Sequence, residues 1–311
     1  VPVPEFNFSA KDSFPDIHPT REFFTTASTM NYPIIWSKLG LGTGTLASLG
    51  RAASLSQVDA LMGAMKESGV TVIDTADCYG SGDCERLLGK ALRQRRVDFT
   101  VVTKAGYRLS DLSGPLKLLN PFIKKGLHRW GRRQIFEPVY LTQCLNHSLL
   151  RLKMEQVDAF LLHDPTLTAV SDESVIRACS DLIKSGKTRL VGVSSGDPEV
   201  LGAAIRSGVF KVIQTPASLK VATTLQPLWQ ECEAAQIHVI GNHVFDPTCF
   251  ELPEMTHEKL MRGSTALLPK NATILCGTRN PTHLRQTHAW TCDPLTAADA
   301  ARLTLEFGPR L

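Results

Sequence analysis

Between residues 39 and 277 the chain alternates short apolar runs with longer segments of helical period. The runs are 39–46 (LGLGTGTL), 71–76 (TVIDTA), 99–105 (FTVVTKA), 157–163 (VDAFLLH), 189–195 (RLVGVSS), 211–216 (KVIQTP), 237–242 (IHVIGN) and 272–277 (ATILCG). They are apolar throughout rather than on alternate positions. Strands of that kind are buried on both faces, as parallel strands beneath helices are. The segments between them repeat apolar residues every three or four positions. Residues 56–70 open on Ser56 as an N-cap and close at Gly69, and 84–95, 141–156, 173–187, 198–208 and 225–236 follow the same design.

Eight strand–helix units predict an α/β fold of one domain, a (β/α)8 TIM barrel over 31–311. A doubly wound open sheet is the alternative. Residues 1–30, polar with scattered phenylalanines, are expected to form an N-terminal arm. The segment 31–39 (NYPIIWSKL) is a candidate hairpin closing the barrel floor. One connection is unusually long, 106–138, and loops of that length are more often functional than idle.

Composition narrows the partners. A chain of 311 residues with 43% hydrophobic and 21% charged residues exceeds a minimal binding module and is too apolar for disorder. The formal net charge is +4, yet six of the 34 basic residues crowd into 117–133 (KLLNPFIKKGLHRWGRR), which holds no acid. Without them the 30 acids outnumber the remaining bases, so a nucleic-acid-coating protein is disfavoured. The segment itself reads as a solvated loop face, a lid favouring an anionic or bulky apolar substrate, or an amphipathic surface contact. No apolar stretch approaches 18 residues, so no membrane span is expected. The N-terminal residues carry early acids and no apolar run of the signal-peptide kind. Eight cysteines without a C-x-x-C pair are expected to be reduced thiols, with no metal site and a cytoplasmic setting. The expected assembly is a monomer or weak homo-oligomer.

In such a barrel the chemistry sits where strands end. Asp74, with Asp77 and Tyr79 just beyond, ends the second run, Lys104 the third and His163 the fourth; Ser194, Ser195 and Gln214 follow. A lysine in an apolar barrel mouth needs a partner, which Asp74 can supply. Its charge is expected to lower the pKa of the Tyr79 hydroxyl, with His163 at the same substrate oxygen. That suits proton transfer to a carbonyl oxygen while another group delivers hydride. GLGTG at 40–44 lacks the third glycine of a dinucleotide fingerprint.

The blocks VTVIDTADCYGSGDCERLLGKAL, VVTKAG, HSLLRLKMEQVDAFLLHDP, LIKSGKTRLVGVSSGDPEVL and LCGTRNPTHL together resemble the aldo-keto reductases, most nearly the sugar- and pyridoxal-oxidising branch. The resemblance implies an NADP(H)-dependent oxidoreductase, NAD being less favoured, that interconverts a small carbonyl and an alcohol. Tyr79 would be the general acid or base, Lys104 and Asp74 the pair setting its pKa, and His163 the residue orienting the carbonyl. Ser194, Ser195 and Gln214 fall where the nicotinamide carboxamide is held, and Gly42 and Thr43 where backbone approaches the cofactor. Gly277, Thr278, Arg279, Asn280 and His283 match the segment gripping the adenosine phosphate. Departures from the pattern lie in the cofactor clamp. Ser195 stands for the usual Asn, Asn242 for an aromatic that stacks on nicotinamide, GNHVFDP for S-P-L-x-x-G, and Thr287 for an Asn reading adenine. Two other classes stay open: a Schiff-base lyase using Lys104, and a nucleotide-binding regulatory protein without turnover.

Overall fold

The structure, a computed structural model, describes residues 33–48, 51–94, 96–107 and 134–307. The arm 1–30 and residues 108–133 of the long basic connection therefore lie outside the described residues. Every apolar run becomes a strand: β1 Leu39–Gly42, β2 Val72–Asp74, β3 Thr100–Ala105, β4 Val157–His163, β5 Thr188–Ser194, β6 Val212–Pro216, β7 His238–Asn242 and β8 Thr273–Cys276. Each pairs in parallel with the next, and β1 closes against β8, so the sheet is a barrel rather than an open one.

Helices follow the strands on the outside: α1 Leu55–Glu67, α2 Asp83–Ala91, α3 Pro138–Leu152, the short α4 Leu167–Ser171, α5 Glu173–Lys184, α6 Pro198–Arg206, α7 Leu219–Ala234, α8 His257–Leu267, α9 Pro281–Cys292 and α10 Ala297–Leu305. α1 begins earlier than its apolar period indicates. Its N-cap is Ser54, whose hydroxyl accepts from the Gln57 N–H while the Gln57 side chain accepts from the Ser54 N–H. This reciprocal pair satisfies two of the helix's orphan donors, which Ser56 inside the first turn cannot do.

Alternation along the strands divides their side chains between two apolar layers. One lies between the strands and the helices, with Ile73, Val101, Phe160 and Ile213 among its members. The other fills the barrel interior with Val72, Val102, Leu161, Val212 and Ile240. Two residues further along the same strands, on the same inward face, come Asp74, Lys104, His163, Gln214 and Asn242. Packing thus sets the register that turns these polar side chains into the mouth.

The floor is closed differently from expectation. Residues 34–38 form no strand. Instead Trp36 packs against the interior layer and stacks on His238, ring centroids 3.9 Å apart. The Ile35 carbonyl accepts from the hydroxyls of Thr71 and Thr100, and the His238 Nε2 meets the Thr273 hydroxyl at 3.1 Å. Burial, helped by Lys38, pushes the His238 pKa down to about 3. A neutral ring can stack under a closed barrel where a charged one cannot.

Candidate active site

Lys104 is the fully buried centre of the mouth. Its ammonium lies 2.8 Å from both carboxylate oxygens of Asp74 and donates to the Thr75 carbonyl at 2.8 Å. A longer contact of 3.4 Å reaches the Tyr79 hydroxyl. Burial alone would lower the Lys104 pKa, but Asp74 and then Tyr79 outweigh it and hold the ammonium above its ordinary value. The lysine is a fixed cation with every proton directed.

Tyr79 is brought to that cation by a tight turn after β2. Cys78 and Tyr79 lead into Gly80, Ser81 and Gly82, all three at positive φ. A side chain at Gly80 would also meet Ala47, its Cβ 2.6 Å from that methyl, so the turn needs glycine on both counts. The expected depression of the Tyr79 pKa is not what the site produces. Lys104 is the largest influence and pulls it down, but burial and the Asp74 carboxylate push the other way, and the hydroxyl sits above its ordinary value. The reason is that Asp74, the partner that allows a lysine to be buried, also faces the phenol.

Asp74 is held from across the barrel as well. Gln214 Nε2 donates to its Oδ1 at 2.8 Å, and Ser194 Oγ donates to Gln214 Oε1 at 2.8 Å. Ser194, Gln214, Asp74, Lys104 and Tyr79 therefore form one hydrogen-bonded chain, buried except at the tyrosine end. His163, half-buried, borders that end, its ring edge-on to Tyr79 with centroids 6.0 Å apart. All four candidate catalytic residues thus lie together at the barrel mouth.

The candidate cofactor residues divide. Ser194, Gln214 and Asn242 face inward, and the buried Oδ1 of Asn242 has no hydrogen-bond partner. Ser195 does not join them: its hydroxyl accepts from the Asp197 N–H and shapes the entry to α6. The Thr43 hydroxyl donates to the Asp74 carbonyl at 2.9 Å. Gly42 and Gly277 lie at adjacent strand ends, where a Cβ on Gly277 would come within 3.8 Å of the Gly42 carbonyl. The Thr278 hydroxyl accepts from the Asn280 N–H, Asn280 caps α9 through Thr282, and His283 is exposed on α9's first turn. Arg279 spans back to the loop after β1, donating through two nitrogens to the Thr45 carbonyl.

Three further features have interactions that the motif reading did not assign. Behind Tyr79, on the helix side of the barrel, Glu85 accepts from Thr103 at 2.6 Å and pairs with Arg151 at 2.6 Å, all buried or nearly so. Beside them the Asp77 carboxyl is fully buried, and neither oxygen has a hydrogen bond of ordinary length. Burial first and Glu85 second push its pKa up to about 7; Arg151, the Cys78 N–H and the Cys144 thiol temper the rise without cancelling it. The long connection, finally, is pinned at both ends. Tyr107 bridges Gln134, its hydroxyl donates to Asp164 at 2.5 Å, and the Gln134 amide donates to the Asp164 carbonyl at 2.6 Å. Hydroxyl and amide partners of this kind carry no periodic signal.

A sequence profile of the Aldo/keto reductase family matches residues 38–245. Among characterised and catalogued relatives, an uncharacterized oxidoreductase of Bacillus subtilis is 31% identical over 59% of this chain and 53% of its own length. A pyridoxal 4-dehydrogenase of Microbacterium luteolum is 32% identical over 40% of this chain and 39% of its own. A 6-dehydroglucose reductase of Novosphingobium aromaticivorans is 31% identical over 55% and 50%. The matches thus span about half the length of these relatives or less. Among solved structures, a Bacillus halodurans aldo-keto reductase in its holo form superposes with a TM-score of 0.67 at 20% identity, covering 87% of this chain and 91% of that one. An aldo-keto reductase from Klebsiella pneumoniae in complex with NADPH gives 0.62 at 20% identity, over 88% and 91%. At that identity the superpositions establish a shared fold. With the family profile covering well over half of the sequence, this chain belongs to the aldo/keto reductase family.

Proposed function

We propose that this protein is an NADP(H)-dependent oxidoreductase that interconverts a small carbonyl compound and the corresponding alcohol, with Tyr79 as general acid in reduction and general base in oxidation. The observation that carries this reading is the buried Ser194–Gln214–Asp74–Lys104 chain ending on the half-buried Tyr79 hydroxyl.

The residues present fit a nicotinamide nucleotide. The unpartnered Asn242 Oδ1 in the mouth is an acceptor suited to a carboxamide N–H, with the Ser194 hydroxyl two strands away. Gly42 and Gly277 leave backbone open for a dinucleotide to pass closely. The N-terminus of the 12-residue α9, with Arg279 before it and His283 in its first turn, suits the phosphates, and the guanidinium favours the 2′-phosphate of NADP(H) over NAD(H). When bound, the nicotinamide supplies or accepts the hydride.

The chain's own part is proton transfer and orientation. A Tyr79 hydroxyl held above its ordinary pKa remains protonated at neutral pH, which is the state an acid for carbonyl reduction needs. As the proton leaves, the phenolate forms 3.4 Å from a permanent ammonium, so charge develops where a cation waits. His163 orients the same substrate oxygen. The long connection after β3, anchored beside His163 by Tyr107 and Gln134, would select the substrate. Reversing the charges of Lys124, Lys125, Arg132 and Arg133 is expected to shift preference away from anionic carbonyls about threefold to tenfold; an unmoved ratio leaves that loop as a solvated face.

Lys104 as a Schiff-base nucleophile is disfavoured by the same geometry. It is fully buried, tied to Asp74, Thr75 and Tyr79 and held protonated, where a nucleophilic lysine must be deprotonated. Titration of tryptophan fluorescence with NADPH and NADH tests the proposal. NADPH is expected to bind the more tightly, and the absence of binding by either nucleotide would overturn the reading. Binding with no turnover of any carbonyl would instead favour a regulatory, nucleotide-holding protein.

A further inference from the structure

His163 reacts to its surroundings as few side chains do, because a neutral imidazole carries one donor and one acceptor nitrogen and can exchange them. Which nitrogen holds the proton is set by the partner of the other. In this site Nδ1 lies 3.7 Å from the Cys78 sulfur. The ring planes of Tyr79 and Tyr107 stand nearly perpendicular to the imidazole, at 82° and 78°, with centroids 6.0 and 4.8 Å away. Tyr107 is itself anchored by its hydroxyl on Asp164, and Asp164 N–H donates to the Ser194 carbonyl at 2.8 Å. Two aromatic walls therefore hold the ring, and Cys78 meets the nitrogen that decides its protonation pattern.

We propose that Cys78 is a positioning residue for the reaction: its thiol donates to Nδ1 of His163 and holds the imidazole in the tautomer that carries its proton on Nε2. The inference rests on the proposed reading of His163 as the residue that orients a substrate oxygen. An ordinary thiol is protonated at neutral pH and has one hydrogen to give. With Nδ1 accepting it, Nε2–H becomes a donor, as a carbonyl oxygen requires. The opposite arrangement, Nδ1–H donated to sulfur, would set an Nε2 lone pair against the substrate's lone pairs. Cys78 also immediately precedes Tyr79 in the turn after β2. One turn thus carries the acid itself and the group that primes its neighbour.

The test combines ring-nitrogen NMR with kinetics. Histidine-15N protein, with the His163 signals assigned through His163→Gln, is compared with Cys78→Ala and Cys78→Ser. Wild type is expected to show acceptor-type Nδ1 and protonated Nε2. Cys78→Ala should lower the fraction of the ring protonated on Nε2 and lose about fivefold in kcat/KM for carbonyl reduction, and Cys78→Ser should restore both. A thermal melt of each variant separates loss of fold from loss of tautomer. An Nδ1–H ring in wild type would overturn the proposal, as would an unchanged tautomer in Cys78→Ala or a serine variant that behaves like alanine. If wild type turns over no carbonyl at all, it is the functional reading that fails, and the NMR signature still decides the role of Cys78.

Discussion

The barrel mouth and the layer just behind it both bury charge, with Asp74 of one and Asp77 of the other on the same short stretch of chain, and they solve the problem in opposite ways. In the mouth one cation, Lys104, meets one carboxylate, Asp74, and the remaining lone pairs and protons go to Gln214, Thr75 and Tyr79. Behind it one cation, Arg151, faces two carboxyls; Glu85 takes it, and Asp77 is left without a hydrogen bond of ordinary length. A buried charge is tolerated when paired and fully hydrogen-bonded, and a surplus one takes up a proton instead. The matched site can keep a fixed charge for chemistry. The mismatched one has a carboxyl whose pKa is pushed up to about 7.

Breaking each half should give different losses. Lys104→Met removes the cation on which phenolate develops, and we expect kcat to fall about a thousandfold with nucleotide affinity nearly unchanged, measured by NADPH oxidation and fluorescence titration. Equal losses in affinity and kcat would mean that the lysine binds rather than catalyses. Arg151→Met strands Glu85 in the interior and should cost about 4 kcal/mol in urea denaturation. A change below about 1 kcal/mol would show that water reaches the cluster.

The smallest effect concerns Asp77, and its sign is specific. The folded-state pKa is raised from 3.8 to about 7, so the folded protein binds the proton more tightly than the unfolded chain. The stabilisation is complete below about pH 4 and is lost as pH rises through about 7. Asp77→Asn should flatten that slope and leave the protein about 2 kcal/mol more stable than wild type at pH 8. An unchanged pH profile of stability would place a water or a shifted partner on the carboxyl.

What could be read beforehand follows the same divide. The eight strands were legible because parallel strands buried on both faces are apolar runs, from 39–46 to 272–277. The helices at the end of the chain were not, since their buried faces mix Leu260, Met261, Leu267 and Leu284 with Gly263, Ser264, Thr265, Thr287, Thr291 and Thr304, which blurs the apolar period. Asp74, Lys104 and His163 were found because they stand at the ends of successive strands, and Tyr79 because it follows Asp74 in the same block. The link from Gln214 to Asp74 spans 140 positions and the Cys78–His163 contact 85, and neither has a signature in spacing. The direction of the Tyr79 shift was misjudged for a related reason: one lysine was weighed without the burial and the carboxylate that accompany it.

Tyr79→Phe tests the central claim most directly, because it deletes one oxygen and leaves Lys104 and Asp74 paired. NADPH oxidation would be followed with a panel of aldehydes, ketones and sugars, for wild type and variant at equal nucleotide saturation. Wild type is expected to reduce at least one class of carbonyl, and the variant to bind NADPH normally while losing about a hundredfold or more in kcat. A variant that turns over carbonyls as fast as wild type would contradict the account.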